Sequence, residues 1–84
     1  MEDRIALVGI IVENPDAVEQ LNAILHEYSG SIIGRMGIPY REKNLSIISI
    51  AICAPNNVIS GMSGKLGMLP GVSTKTVCAR TAEN

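Results

Sequence analysis

An unbroken apolar run, Ile5 to Val12, is eight residues long and sits between Glu2-Asp3-Arg4 and Asn14-Pro15. It is rich in β-branched residues and reads, with Glu13, as a strand. A strand that is apolar at both parities has to be covered on both faces. One cover should be the chain's own helices, and the other a second subunit. The run is far short of the roughly 20 residues that span a bilayer. The acidic start is unlike a signal peptide. A cytoplasmic protein with no membrane contact is expected.

The elements that follow are legible from their punctuation. Asn14-Pro15-Asp16 opens a helix, with Asn14 as cap, Pro15 at the first helical position and Asp16 at the positive end of the dipole. Val18, Leu21, Ile24, Leu25 and Tyr28 then share one face. Ser29-Gly30 closes the helix, with Gly30 expected in the left-handed cap conformation. Ser31 to Tyr40 reads as a second strand, which Pro39 confines to an edge or an end. Arg41-Glu42-Lys43-Asn44 is a polar hairpin connection, and Leu45 to Ala54 a third strand. Pro55-Asn56-Asn57 opens a second helix striped by Ile59, Met62, Leu66 and Leu69. It stops near Gly67, before the Pro70-Gly71 turn. Val72 to Arg80 is the last strand, and Thr81 to Asn84 a frayed tail.

Two strand–helix–strand halves of about 40 residues suggest an internal duplication of the split βαβ kind. The expected fold is therefore α+β: a ferredoxin-like βαββαβ sandwich, with a four-stranded antiparallel sheet and two helices on one face. All 84 residues make one domain, with its core at about residues 4–80. Apolar residues at both parities of strands one and three leave the second sheet face apolar, which points to a homo-oligomer, a dimer or tetramer, through that face. Composition agrees. With neither Phe nor Trp and only two Tyr, the core is built from small aliphatic side chains, and a small domain of that kind gains from association.

Net charge is −1 and the seven basic residues are scattered along the chain. Phosphate neutralisation needs clustered cations, so direct nucleic-acid binding by the isolated chain is not expected. Cys53 and Cys78 match no metal or redox spacing and read as reduced, buried small hydrophobes.

Further resemblance is carried by the segment GRMGIPYREK (Gly34 to Lys43), with VGIIVE (Val8 to Glu13), LHEY (Leu25 to Tyr28) and SGKLGMLPGVSTKT (Ser63 to Thr76). Over about Arg4 to Ala79 the chain resembles the family of iron-only hydrogenase system regulators. That family is similar to the ACT domain and to the C-terminal domain of the nickel-responsive repressor. The resemblance implies an ACT-like fold, homo-oligomers, and a regulatory role beside the maturation machinery of iron-only hydrogenases, extending to transcription. The repressor holds nickel with His and Cys, including His on its second strand. The matching stretch Gly34 to Tyr40 has neither, so no metal and no cofactor are expected. With three residues ahead of the first strand core, operator binding by a preceding ribbon-helix-helix segment is not expected.

The densest unusual cluster is Arg35, Met36, Gly37, Pro39, Tyr40 and Arg41. Gly37 lets backbone approach closely, and two guanidiniums can clamp a carboxylate or phosphate. A small anionic effector near an oligomer interface is the expected ligand. The competing reading is an edge strand with a solvated hairpin and one aromatic lid. Gly61 and Gly64 lie opposite the apolar stripe of the second helix, each costing about 1 kcal/mol relative to Ala. They are expected either to admit a ligand or another backbone, or to mark a short helix that lapses into loop. Asn14 and its neighbours read as ordinary capping, and His26 as a solvated side chain.

No nucleophile–base pair, phosphate loop or GxGxxG is present, so no enzyme is expected. The sequence supports a ligand-sensing regulatory module, with a non-ligand-binding interaction scaffold for a protein partner as the alternative.

Overall fold

The computed structural model describes residues 2–80. The elements run β1 (Asp3–Val12), α1 (Val18–Glu27), β2 (Ile32–Tyr40), β3 (Leu45–Pro55), α2 (Asn56–Gly67) and β4 (Val72–Cys78). All strand pairs are antiparallel and the sheet order is β2-β3-β1-β4. This is the expected α+β ferredoxin-like, ACT-like arrangement. β4 stops two residues short of Arg80, and the expected tail, Thr81 to Asn84, lies outside the described residues.

The continuous apolar run of β1 resolves into strict alternation. Ala6, Val8, Ile10 and Val12 are buried, while Ile5, Leu7 and Ile11 are exposed. The register carries that division across the sheet. Val8 sits between Ile50 of β3 and Thr76 of β4, and Ile10 between Ile48 and Thr74. The face bearing these residues meets Leu21 and Leu25 of α1 and Ile59, Met62 and Leu66 of α2 in one fully aliphatic core. Leu69 packs against its rim. Val18, expected on the buried face of α1, is 38% exposed. It stands in the first turn of the helix, where α1 overhangs the edge strand.

The helix start is as expected, with one refinement. Asn14 Oδ1 accepts from the Asp16 N–H at 3.1 Å, and Pro15–Ala17 form a single 3-10 turn before α1 proper. The end differs. Gly30 is not left-handed. Successive three-residue turns carry the chain out instead: Ser29 N–H to His26 C=O, Ser31 N–H to Tyr28 C=O, and Ile32 N–H to Ser29 C=O. With Tyr28 N–H on Leu25 C=O, they occupy the Leu25 and His26 carbonyls of the last turn without a positive φ.

Among the described residues the left-handed ones are Asn44 (φ 55°), which closes the β2–β3 connection, and Gly71 (φ 75°). Gly71 C=O accepts from the Glu13 N–H at 2.7 Å. A Cβ at position 71 would fall 2.6 Å from Asn14 Cβ. The α2–β4 turn is thereby clamped against the β1–α1 junction. No helix among the described residues is long and apolar enough to cross a membrane.

Candidate functional site

The two helices cover the sheet unequally. α2 lies close on β4 because its facing residues are small. The Ser63 hydroxyl comes within 3.4 Å of that of Thr74 and accepts from Thr76 at 3.3 Å, while a Cβ at Gly67 would stand 3.5 Å from Thr74 Oγ1. α1 has no such seam with β2. From Ile33 to Tyr40 every residue of β2 is exposed, and a groove opens between helix and edge strand.

Three depressions run along this groove. The first, of about 310 Å³, is lined by residues including His26, Ser29 and Arg35. A second of about 290 Å³ shares Asn22 and Arg35 with it and continues over Gly37, Pro39 and Ile48. The third, of about 150 Å³, shares Val18, Pro39 and Ser46 and ends at Arg41. No Asp or Glu lines any of the three. An Arg35 Nη donates to Asn22 Oδ1 at 2.8 Å, which ties β2 to α1 across the middle of the groove. That bond uses one of the five guanidinium donors. The one ion pair among the described residues lies elsewhere, between Lys65 and Glu27.

The structure divides the expected cluster between the two faces of β2. Arg35, Gly37 and Pro39 pair with Ile50, Ile48 and Ser46 and stand on the helix side. Met36 and Tyr40 pair with Ser49 and Leu45 and stand on the open side. Tyr40 O–H donates to Glu42 at 2.8 Å, and that bond, with lesser desolvation, raises the phenol pKa above its ordinary value. Arg41 follows the last residue of β2 and stands six positions from Arg35, roughly 20 Å at the rise of an extended strand. Within one chain they serve different ends of the groove, not one clamp. Exposed positions along one strand look alike in sequence; only the register assigns them to faces.

Gly61 and Gly64 are not a shared bare face. α2 is helical throughout, so neither marks a loop. Gly61 looks towards α1, where a Cβ would touch the Tyr28 hydroxyl at 3.4 Å, whereas Gly64 has open space in front of it. Tyr28 also lies under Lys65, whose Nζ is 5.2 Å from the ring centroid and 2.9 Å from Glu27 Oε2. The Glu27 hydrogen bond, then that of Tyr28, raises the Lys65 pKa. These contacts join the ends of the two helices. Cys53 and Cys78 are free and half-buried rather than buried. Cys53 pairs with Ile5 on the open face and Cys78 with Ala6 on the covered face, so the two thiols lie on opposite sides of the sheet. Among the described residues no three His, Cys, Asp or Glu side chains converge as a metal site.

The open side was legible only as a second apolar parity. In the structure it is a continuous surface carrying Ile5, Leu7, Ile11, Ile38, Ile47 and Val77, between 42% and 67% exposed. A βαββαβ sheet with one bare apolar face and an arginine-bearing groove at one edge defines a small ferredoxin-like module of the ACT-like class. The chain belongs to the TM1266-like family of iron-only hydrogenase system regulators, whose sequence pattern matches residues 4–76. Among solved structures it is similar to the uncharacterized protein TM1266 from Thermotoga maritima, at 39% identity and a TM-score of 0.90, covering 94% of this chain and all of that one. The C-terminal domain of the MgtC protein from Mycobacterium tuberculosis shares the fold at 14% identity, with a TM-score of 0.72 over 94% of this chain and 90% of that one. So does CPII, a nitrogen regulatory PII-like protein from Thiomonas intermedia K12, at 13% identity and a TM-score of 0.52 over 95% and 100%. No curated protein matches the chain.

Proposed function

We propose that the chain is a non-catalytic regulatory module of the iron-only hydrogenase system that senses a small anionic effector in the groove between α1 and β2. The observation that carries this reading is the groove's charge. Two arginines and no carboxylate line it, and Arg35 holds most of its donors free beside a depression of small-molecule size. Arginine suits carboxylate and phosphate because its planar fork can give two parallel hydrogen bonds. Asn22 positions the guanidinium from α1, so an anion on Arg35 also bears on the helix. Regulation requires that the effector bind one conformation more tightly than another, and the α1–β2 spacing is the element it would bias. With net charge −1, a role in transcription runs through a partner rather than through direct contact with DNA.

The test is thermal unfolding of the wild type and Arg35→Ala in the presence of phosphate, phosphate esters, and mono- and dicarboxylates. A ligand that binds only the native state raises the midpoint. At least one of these anions is expected to raise it for the wild type and not for Arg35→Ala. Equal shifts in both proteins would remove Arg35 from the site.

The bare sheet face favours a second reading, a scaffold for a protein partner that binds no small ligand. A panel of anions without effect, together with a stable complex with a maturation protein, would decide for it.

A further inference from the structure

We infer that the open face of the sheet is the interface between two copies of this chain, packed face to face about a twofold axis. This goes beyond the effector reading and does not depend on it.

Size comes first. Ile5, Leu7, Ile11, Met36, Ile38, Ile47 and Val77 each leave between 42% and 67% of their surface exposed on this one face, and so many large apolar side chains on one contiguous surface mark a contact site on the scale that a standard interface covers. Charge comes second. Of the strand residues directed to this face, only Asp3, at the start of β1, and Lys75, on the edge strand β4, are charged. A strongly acidic or basic partner finds nothing to pair with there. A second flat, neutral, apolar surface does, and each copy of the chain brings one.

Shape selects the copy itself. In the middle of the sheet Gly9 pairs with Ser49, and these two small residues floor an apolar depression of about 340 Å³ walled by Ile11 and Ile47. The next positions along these two central strands are the large Ile11 and Ile47, while on β2 both rows end in a large side chain, Met36 beside Ser49 and Ile38 beside Ile47. A hollow on β1 and β3 therefore lies beside a raised pair, roughly 7 Å away along the strands. A twofold axis midway between them sets the Ile11–Ile47 pair of each copy into the Gly9–Ser49 hollow of the other. That is the condition for an isologous contact, in which residue i meets j and j meets i. Sheets packed this way stand about 10 Å apart with interdigitated side chains.

Sedimentation equilibrium of the wild type, Ile47→Lys and Gly9→Leu, with no effector added, tests the inference. The wild type is expected at twice the chain mass or a higher even multiple at ~10 μM. Ile47→Lys places a cation in the contact and should weaken association on the order of 100-fold. Gly9→Leu fills the hole and should weaken it roughly 10-fold. Both variants should keep the wild-type circular dichroism, since Ile47 is 42% exposed and a Cβ at Gly9 meets only the Lys75 carbonyl oxygen, at 3.8 Å. A wild type that stays monomeric to ~100 μM, or variants that fold and keep the wild-type mass, would overturn it. The effector reading fails separately, by the absence of an anion-dependent midpoint shift.

Discussion

The two faces of the sheet are made from nearly the same residues and do different work. On β3, Ile48, Ile50 and Ile52 point into the helices and are between 0% and 8% exposed, while Ile47, from the same run, is 42% exposed on the opposite side. Composition does not separate them; parity does. On the covered face aliphatic area is matched by the helix stripes and holds the monomer together. On the open face the same chemistry has no partner within the chain. Apolar surface is favoured only where it leaves water, so the covered face explains the fold, and the open one bears on what the folded chain meets.

The sharpest way to break this comparison is to truncate the same residue type on each side. Ile50→Ala empties a fully buried site and is expected to lower unfolding free energy by about 2–5 kcal/mol. Ile47→Ala should cost the monomer less than about 1 kcal/mol. Urea denaturation of the wild type and both variants at high dilution, where the chains are separate, measures the difference. Equal losses would mean that the open face supports the monomer after all.

A second probe concerns the clamp that holds the covered face in register. Gly71→Ala forces a side chain into a left-handed conformation and against Asn14. It should cost about 1–3 kcal/mol while leaving self-association of the folded fraction unchanged. A neutral outcome would show that the turn can open without cost.

The third uses the two glycines of α2. Gly64→Ala meets open space and should stabilise by up to about 1 kcal/mol. Gly61→Ala, whose Cβ touches the Tyr28 hydroxyl, should gain less. Thermal midpoints of the two variants side by side decide it, and the reverse order would place the interhelix contact elsewhere.

The smallest effect is the pH dependence of the joint between helix ends. Glu27 and Tyr28 raise the Lys65 pKa above its usual 10.5. A raised folded-state pKa adds stability that is fully present below about 10.5 and is lost as pH climbs through the higher folded value. The pair is exposed and the contribution small. Stability of the wild type relative to Lys65→Met should therefore decline above pH 10.5 and stay flat from pH 6 to 9.

The fold was legible because its signals are local. Asn14-Pro15 and Pro55-Asn56 mark helix starts, the Ile59/Met62/Leu66 stripe marks a buried face, and Pro39 marks an edge. The exit from α1 differs because a glycine near a helix end invites the left-handed reading, whereas here short turns carry the chain out with no positive φ. The division of Arg35 from Tyr40, and the different surroundings of Gly61 and Gly64, depend on strand register and on helix-to-helix approach. Both are set by partners distant in sequence, and no single-segment pattern carries them. The groove is likewise a product of packing. It exists because α1 lacks the small-residue seam that lets α2 close on β4, a contrast visible only once Ser63, Gly67 and Thr74 are seen to meet.

The central claim is that the covered face folds the chain and the open face joins it to a copy. The most direct measurement is the thermal midpoint of the wild type and of Ile47→Lys over a hundredfold range of protein concentration. Association of native chains makes the midpoint depend on concentration. The wild-type midpoint is expected to climb steadily with concentration, and that of Ile47→Lys to stay constant at the lower value. A wild-type midpoint independent of concentration over the whole range would contradict the account.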